Sequence, residues 1–164
     1  MHKFFLAVSI IFIANFCFAQ KPIEIGKAMD AKYIITADTA ILRKALQQLL
    51  ADGTIITHIY IESEHKWHYL IGTGRQKNYT KTIAVELTYN IDTRTYFAVD
   101  GLAHKTCASA GCGVCEPFKE NGNMIGCHCK EAGTVSNECN FKTEIGSKFY
   151  KQFVRQMAIK NKRH

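Results

Sequence analysis

Six of the chain's seven cysteines fall between Cys107 and Cys139, spaced C-x4-C-x2-C-x11-C-x-C-x9-C. No other feature limits the fold so sharply. The stretch offers little to bury beyond Val114, Phe118, Met124, Ile125 and Val135, so apolar collapse alone would not order it. Covalent bridges would, since closing a loop of about 15 residues removes on the order of 3 kcal/mol of unfolded-state freedom. Gly111, Gly113, Gly122, Gly126 and Gly133 supply the tight turns. We read Cys107, Cys112, Cys115, Cys127, Cys129 and Cys139 as three disulfides, the framework of a protein that works in an oxidising compartment. Their connectivity stays open, except that a direct bridge between Cys127 and Cys129, one residue apart, would be strained.

The start of the chain points to the same compartment. Met1-His2-Lys3 is a short basic lead and Phe4 to Phe16 is an almost unbroken apolar run. Cys17-Phe18-Ala19 then places small residues where signal peptidase reads them, before Gln20. A membrane-spanning helix needs roughly 20 apolar residues, and Lys21-Pro22 ends this run too soon. The expectation is a signal peptide over 1–19 and a secreted or periplasmic protein over 20–164. That remainder is the length of a single domain.

Charge narrows the partners without naming one. Lys and Arg number 21 against 14 Asp and Glu, a net +7 with histidines neutral. Such a surplus favours an anionic surface ligand, and the expected partner is that or a protein of unspecified kind outside the cytoplasm. The charges are spread along the chain, so no specific nucleic-acid site is expected. No GxSxG, HExxH, phosphate-loop or dinucleotide fingerprint occurs, and neither a cofactor nor a catalytic residue is assigned.

Before the cysteines, residues 31 to 100 are rich in Ile, Leu, Val, Tyr and Thr. Lys32 to Thr36 reads as a short strand. Asp38 is a candidate N-cap for a helix whose Ile41, Leu42, Ala45, Leu46, Leu49 and Leu50 share one face, with Gly53 as its left-handed C-terminal cap. Thr57 to Glu62 and Lys66 to Gly72 are expected to pair around a Ser63-Glu64-His65 turn. Matching 61 with 67 and 59 with 69 puts Ile59, Ile61, Trp67, Tyr69 and Ile71 together. His58, Tyr60, Glu62, Lys66 and His68 then fill the other face, where His58, Glu62 and His68 form a candidate acid–base or metal cluster. Gly72-Thr73-Gly74-Arg75 reads as a loop. Strands around Ile83 to Leu87 and Thr95 to Val99 follow, joined by a turn at Asn90-Ile91-Asp92. Ile145, Phe149, Phe153 and Met157 predict a terminal amphipathic helix.

The cysteine order, with Cys127-His128-Cys129 followed by a glycine and a last cysteine, resembles an epidermal-growth-factor-like module. That resemblance implies the pairs Cys107–Cys115, Cys112–Cys127 and Cys129–Cys139. The spacing of Cys107, Cys112 and Cys115 also resembles the first three ligands of a plant-type [2Fe–2S] ferredoxin, but Ile145 stands near the place of the fourth. Two further chemistries fit the residues. Cys112-Gly113-Val114-Cys115 has the spacing of a thiol–disulfide oxidoreductase. Cysteine pairs with His104 or His128 would suit zinc.

The sequence thus predicts an α+β fold. An N-terminal helix packs on an antiparallel sheet of about four strands, with a disulfide-rich loop appendage over 107–139 and a C-terminal amphipathic helix. A helix before four antiparallel strands is also the order of cystatin-like proteins, whose QxVxG loop is absent here. The expected role is a binding or interaction module, with the oxidoreductase and the zinc protein as alternatives.

Overall fold

The computed structural model describes residues 20–77, 79–110, 115–131, 134–136 and 139–162. The expected signal peptide and Cys112 lie outside them. The chain is predominantly β. Strands β1 (Ile23–Met29) and β2 (Lys32–Ile35) precede helix α1 (Thr39–Leu50). Then come β3 (Ile55–Glu64), β4 (Trp67–Gln76), β5 (Tyr79–Glu86), β6 (Thr88–Asn90), β7 (Thr95–Ala98) and β8 (Ala103–Ala110). Strands β9 (Cys115–Glu120), β10 (Asn123–Glu131), β11 (Thr134–Ser136) and β12 (Cys139–Ile145) lead to helix α2 (Lys148–Asn161).

These strands form three sheets, which overturns the expected single four-stranded sheet with a loop appendage. A central five-stranded sheet has the order β12-β8-β5-β4-β3, a flanking four-stranded sheet β2-β1-β7-β6, and a three-stranded outer sheet β11-β10-β9. Two misreadings explain the difference. The cysteine segment looked like loop because Ala103–Ala110 is made of small and polar residues, yet it pairs along its length with both β5 and β12. The strand at Thr95 was placed beside β5, but the chain leaves the central sheet at Leu87. There β6 and β7 turn back and β7 pairs with β1.

Register decides what each face carries. The β3–β4 hairpin pairs Glu64 with Trp67, Ile61 with Leu70 and Ile59 with Gly72, three positions from the expected match. An odd slip reverses every side chain. Ile61 and Ile59 therefore share a face with Leu70, while Trp67, Tyr69 and Ile71 share the opposite face with Tyr60 and Glu62. A bulge at Thr57 returns Ile56 to the face of Ile59 and Ile61. The tight turn explains the slip, because His65 takes a positive φ of 55° and leaves only two residues in the loop.

On the first face, α1 and α2 lie against each other, and the apolar stripe of α1 meets Ile56, Ile61, Leu70, Ile83 and Val85. Ile25, Tyr96 and Ala98 of the flanking sheet complete this core. The Asp38 cap is as expected, its Oδ1 accepting from the Ala40 and Ile41 amides at 2.9 and 3.1 Å. The left-handed cap is Ala51 (φ 52°), whose amide donates to Gln47 O, so the helix closes two residues before Gly53. In α2 the buried residues are Phe149, Tyr150, Phe153 and Gln156, while Ile145 lies on β12 and is exposed.

The second face is roofed by the outer sheet. Met124 of β10 packs on Tyr69, Ile71 and Ala84, with Trp67 and Phe141 at the margin. This second core is small. Two disulfides add what it lacks, each running from the central sheet to the outer sheet. Cys107 of β8 joins Cys127 of β10 (Cα–Cα 5.8 Å), and Cys139 of β12 joins Cys115 of β9 (6.3 Å).

Candidate functional site

Strand alternation builds one concave strip beside the disulfides. Following the β3–β4–β5 register, His58, Thr73, Arg75, Thr80 and Thr82 project to the same face of the central sheet. The outer sheet does not roof this end completely. Cys115 closes one side, and Thr57, Gly74 and Lys81 finish a cavity of about 400 Å³.

The polar groups of the cavity are ordered. Thr82 Oγ1 donates to Cys115 O at 2.9 Å, tying β5 to β9. Thr57 Oγ1 donates to Thr73 O at 3.2 Å and lies 3.0 Å from His58 Nδ1. A hydroxyl has one hydrogen to share between these two contacts, and the direction of the Thr57–His58 bond follows the imidazole tautomer. Lys81 pairs with Asp52, and burial pulls its ammonium below the ordinary lysine range. Arg75 is exposed and has no carboxylate partner among the described residues.

The structure separates the residues grouped by the sequence reading. His58 and Glu62 share a face, but His68 lies on the other. Its Nδ1 is 2.7 Å from Ser63 Oγ, and its ring packs on Tyr89 and Tyr96 at 5.2 and 5.5 Å. Glu62 stands opposite Tyr69, not Lys66, and pairs with Lys119 of β9. The expected acid–base cluster does not form.

The cysteine partners also differ from those implied by the growth-factor-like resemblance. Cys115 is bonded to Cys139 and not to Cys107, and Cys127 is bonded to Cys107. Cys129 is disulfide-bonded as well. Of the expected redox pair, Cys112 lies outside the described residues, and Cys115 is fully buried and bonded to Cys139. The sulfurs of Cys107, Cys115 and Cys127 lie within 4.8 Å of one another. Neither proposed histidine joins them. His104 is one residue out of phase with Cys107 on β8's pairing register and meets Glu144 at 3.5 Å. His128 alternates away from Cys127 and Cys129, with Glu116 at 3.7 Å and Phe118 beside its ring.

Arg75, Thr73, Thr80 and Thr82 were missed as a set. The segment Gly72-Thr73-Gly74-Arg75 read as a loop because its glycines break the apolar run, but β4 continues through it to Gln76. The signal was present as hydroxyls and a cation two residues apart on each side of a turn. Lys105 was missed too. Its buried ammonium reaches Asn123 Oδ1 at 2.8 Å, Glu86 at 3.2 Å and Tyr69 OH at 3.3 Å, beside the Trp67 ring. Those partners satisfy it, so Lys105 is a strut between the layers.

No family model, curated protein or solved structure matches the chain. Among the described residues no helix is long and apolar enough to cross a membrane.

Proposed function

We propose that the protein is an exported binding module, secreted or periplasmic, which holds a partner against a rigid, disulfide-clamped cleft. On this reading residues 1–19 are removed and 20–164 act as one domain. Cys107, Cys112, Cys115, Cys127, Cys129 and Cys139 are all oxidised, and no resident cofactor is involved. The observation that carries it is the pair of disulfides crossing from central to outer sheet beside the Arg75 cavity. A cavity wall fixed covalently is preorganised, which lowers the ordering cost of binding. It does not suit an enzyme that must open and reform the same bonds. The cationic lining favours an anionic ligand or an acidic protein surface as partner.

Intact mass and thiol labelling of the exported protein test this. The expected species begins near Gln20, is one hydrogen lighter per cysteine than the reduced chain, and takes up no alkylating reagent without reductant. A retained leader, or turnover of a disulfide substrate such as insulin, would overturn the reading. The convergence of three sulfurs within 4.8 Å favours one rival, a thiolate metal site. Free thiols with stoichiometric zinc in the exported protein would put that rival in its place.

A further inference from the structure

We infer that the helical face of the protein docks on the surface of an anionic phospholipid bilayer. The inference goes beyond the binding-module reading and rests on a different face of the molecule.

The basic residues are scattered along the chain, but their excess is not. Helices α1 and α2 carry Arg43, Lys44, Lys148, Lys151, Arg155 and Lys160 and no Asp or Glu. Of the 20 Lys and Arg in residues 20–164 these are six, which leaves 14 to face 14 Asp and Glu elsewhere. The net surplus therefore sits on one layer. The acids that flank the helices in sequence do not offset it, because each is already engaged. Asp38 pairs with Lys160 at 2.7 Å, Glu144 with Lys148 at 2.7 Å, and Asp52 with Lys81 of β5. Arg43, Lys44, Lys151, Arg155 and, just past α2, Lys162 are exposed and have no ion-pair partner among the described residues.

Helix α2 turns its cations outward together. Phe149, Phe153 and Gln156 bury one side of it, so Lys151, Arg155 and Lys162, four and seven residues apart, share the opposite one. Gln156 donates to Gln48 Oε1 at 3.1 Å, which holds α1 with Arg43 and Lys44 alongside. Val154 and Met157 stay 41% and 39% exposed on the same helix. Cations alone would suit any polyanion. Cations mixed with exposed apolar side chains suit a bilayer, where charged heads meet phosphates and apolar groups reach the acyl boundary. At 12 and 14 residues neither helix is long enough to span, so the layer rests on the surface. The disulfide-clamped cavity lies on the other face of the central sheet and is left facing away.

Co-sedimentation of the oxidised protein with vesicles of mixed phosphatidylglycerol and phosphatidylcholine tests the face. We expect binding that weakens steeply with added salt and is absent on phosphatidylcholine alone. One cation near an anionic surface strengthens binding about fivefold, so a Lys151→Gln, Arg155→Gln, Lys162→Gln variant should bind on the order of a hundredfold more weakly. Lys32→Gln, Lys77→Gln, Arg94→Gln removes the same charge from exposed positions outside the helices and should bind nearly as the parent does. Val154→Ser with Met157→Ser should also weaken binding, with its salt dependence unchanged; no loss there would count for a soluble polyanion and against a bilayer. Equal losses in the two triple variants would reduce the effect to net charge and overturn the assignment. Absence of vesicle binding would overturn it too, and retention of that same protein on heparin would hand the face to a polyanion. The cleft keeps its own test in the thiol count.

Discussion

Leu46 of α1 lies directly over Gly72 of β4: a Cβ built on the glycine would meet the leucine Cδ1 at 2.8 Å and Ile83 Cγ2 at 3.3 Å. Helix and sheet approach this closely only because β4 lacks a side chain there. Leu46 is fully buried in the main core. Leu46→Ala should cost about 2–5 kcal/mol, the range for emptying a packed site. Gly72→Val should also destabilise, by pushing the helix outward. Urea midpoints measure both. If Leu46→Ala unfolds at the parent's midpoint, this helix face is not the core.

The disulfides are expected to hold the outer sheet more than the whole fold. The Cys107–Cys127 bridge spans 20 positions, so a Cys107→Ser, Cys127→Ser double variant should lose about 3 kcal/mol by the loop-entropy argument. Trp67, the single tryptophan, sits at the margin of the small core between the sheets. Its emission should redden on reduction before the far-ultraviolet ellipticity falls. Coincident changes would mean that the outer sheet is no less stable than the rest.

Acid should weaken the fold through two histidines. Burial lowers the pKa of His68, and burial likewise lowers that of His104 despite the opposing pull of Glu144. Each ring is held neutral in the folded chain, and His104 Nδ1 is buried without a partner. Their stabilising effect is complete above the unfolded histidine value of about 6.5 and declines as pH falls through each lowered folded value. Denaturation at pH 7.5 and pH 5 should show the loss, and the two ring resonances should titrate below free histidine. Resonances that titrate above it would reverse the sign and reject the account.

Glu144 works on the same side of neutrality by another route. Hydrogen bonds from Lys142 and then Lys148 hold its carboxyl down to about 2 from an ordinary 4.5. A carboxyl lowered in the folded state stabilises above its unfolded value, and the contribution drains away between about pH 4.5 and 2. Glu144→Gln should be less stable than the parent at pH 7, with the gap shrinking in high salt and closing near pH 2. Losing Glu144 should also lower the His104 titration further. A gap that is constant with pH would leave the carboxylate without a charge-based role.

Local signals were legible where packing and propensity agree. Asp38 and the Leu42–Leu46 stripe declared α1, and Phe149 and Phe153 declared α2. What failed was pairing between distant segments. The strand at Thr95 carries nothing to say that β1 is its neighbour, and Ile23–Met29 hides behind Gly26 and Lys27. Trp67, Tyr69 and Ile71 alternate perfectly with Leu70 between them, because both faces of the central sheet are covered, so alternation could not choose the register. A two-residue turn chose it. The cysteine pattern predicted bridges but not partners, since partners depend on which strands lie across the layer from one another. The cavity was invisible for the same reason: Thr73, Arg75, Thr80 and Thr82 meet His58 only after β4 has pairs on both sides.

The first strand has consequences in time as well as in space. Ile23 pairs with Ala98, and Lys21 O receives the hydroxyl of Tyr150, 129 positions away. A chain that emerges with its N-terminus first can pair β1 with β2 at once, but the other edge of β1 must wait for β7 and the Lys21 carbonyl for α2. Strands that must wait for remote neighbours make folding slow and leave apolar edges open meanwhile. The flanking sheet should be the last to assemble, and the folding half-time should lengthen if the terminal helix is delayed or removed. Closing the flanking sheet is thus a late, long-range event laid over an early local hairpin of β1 and β2.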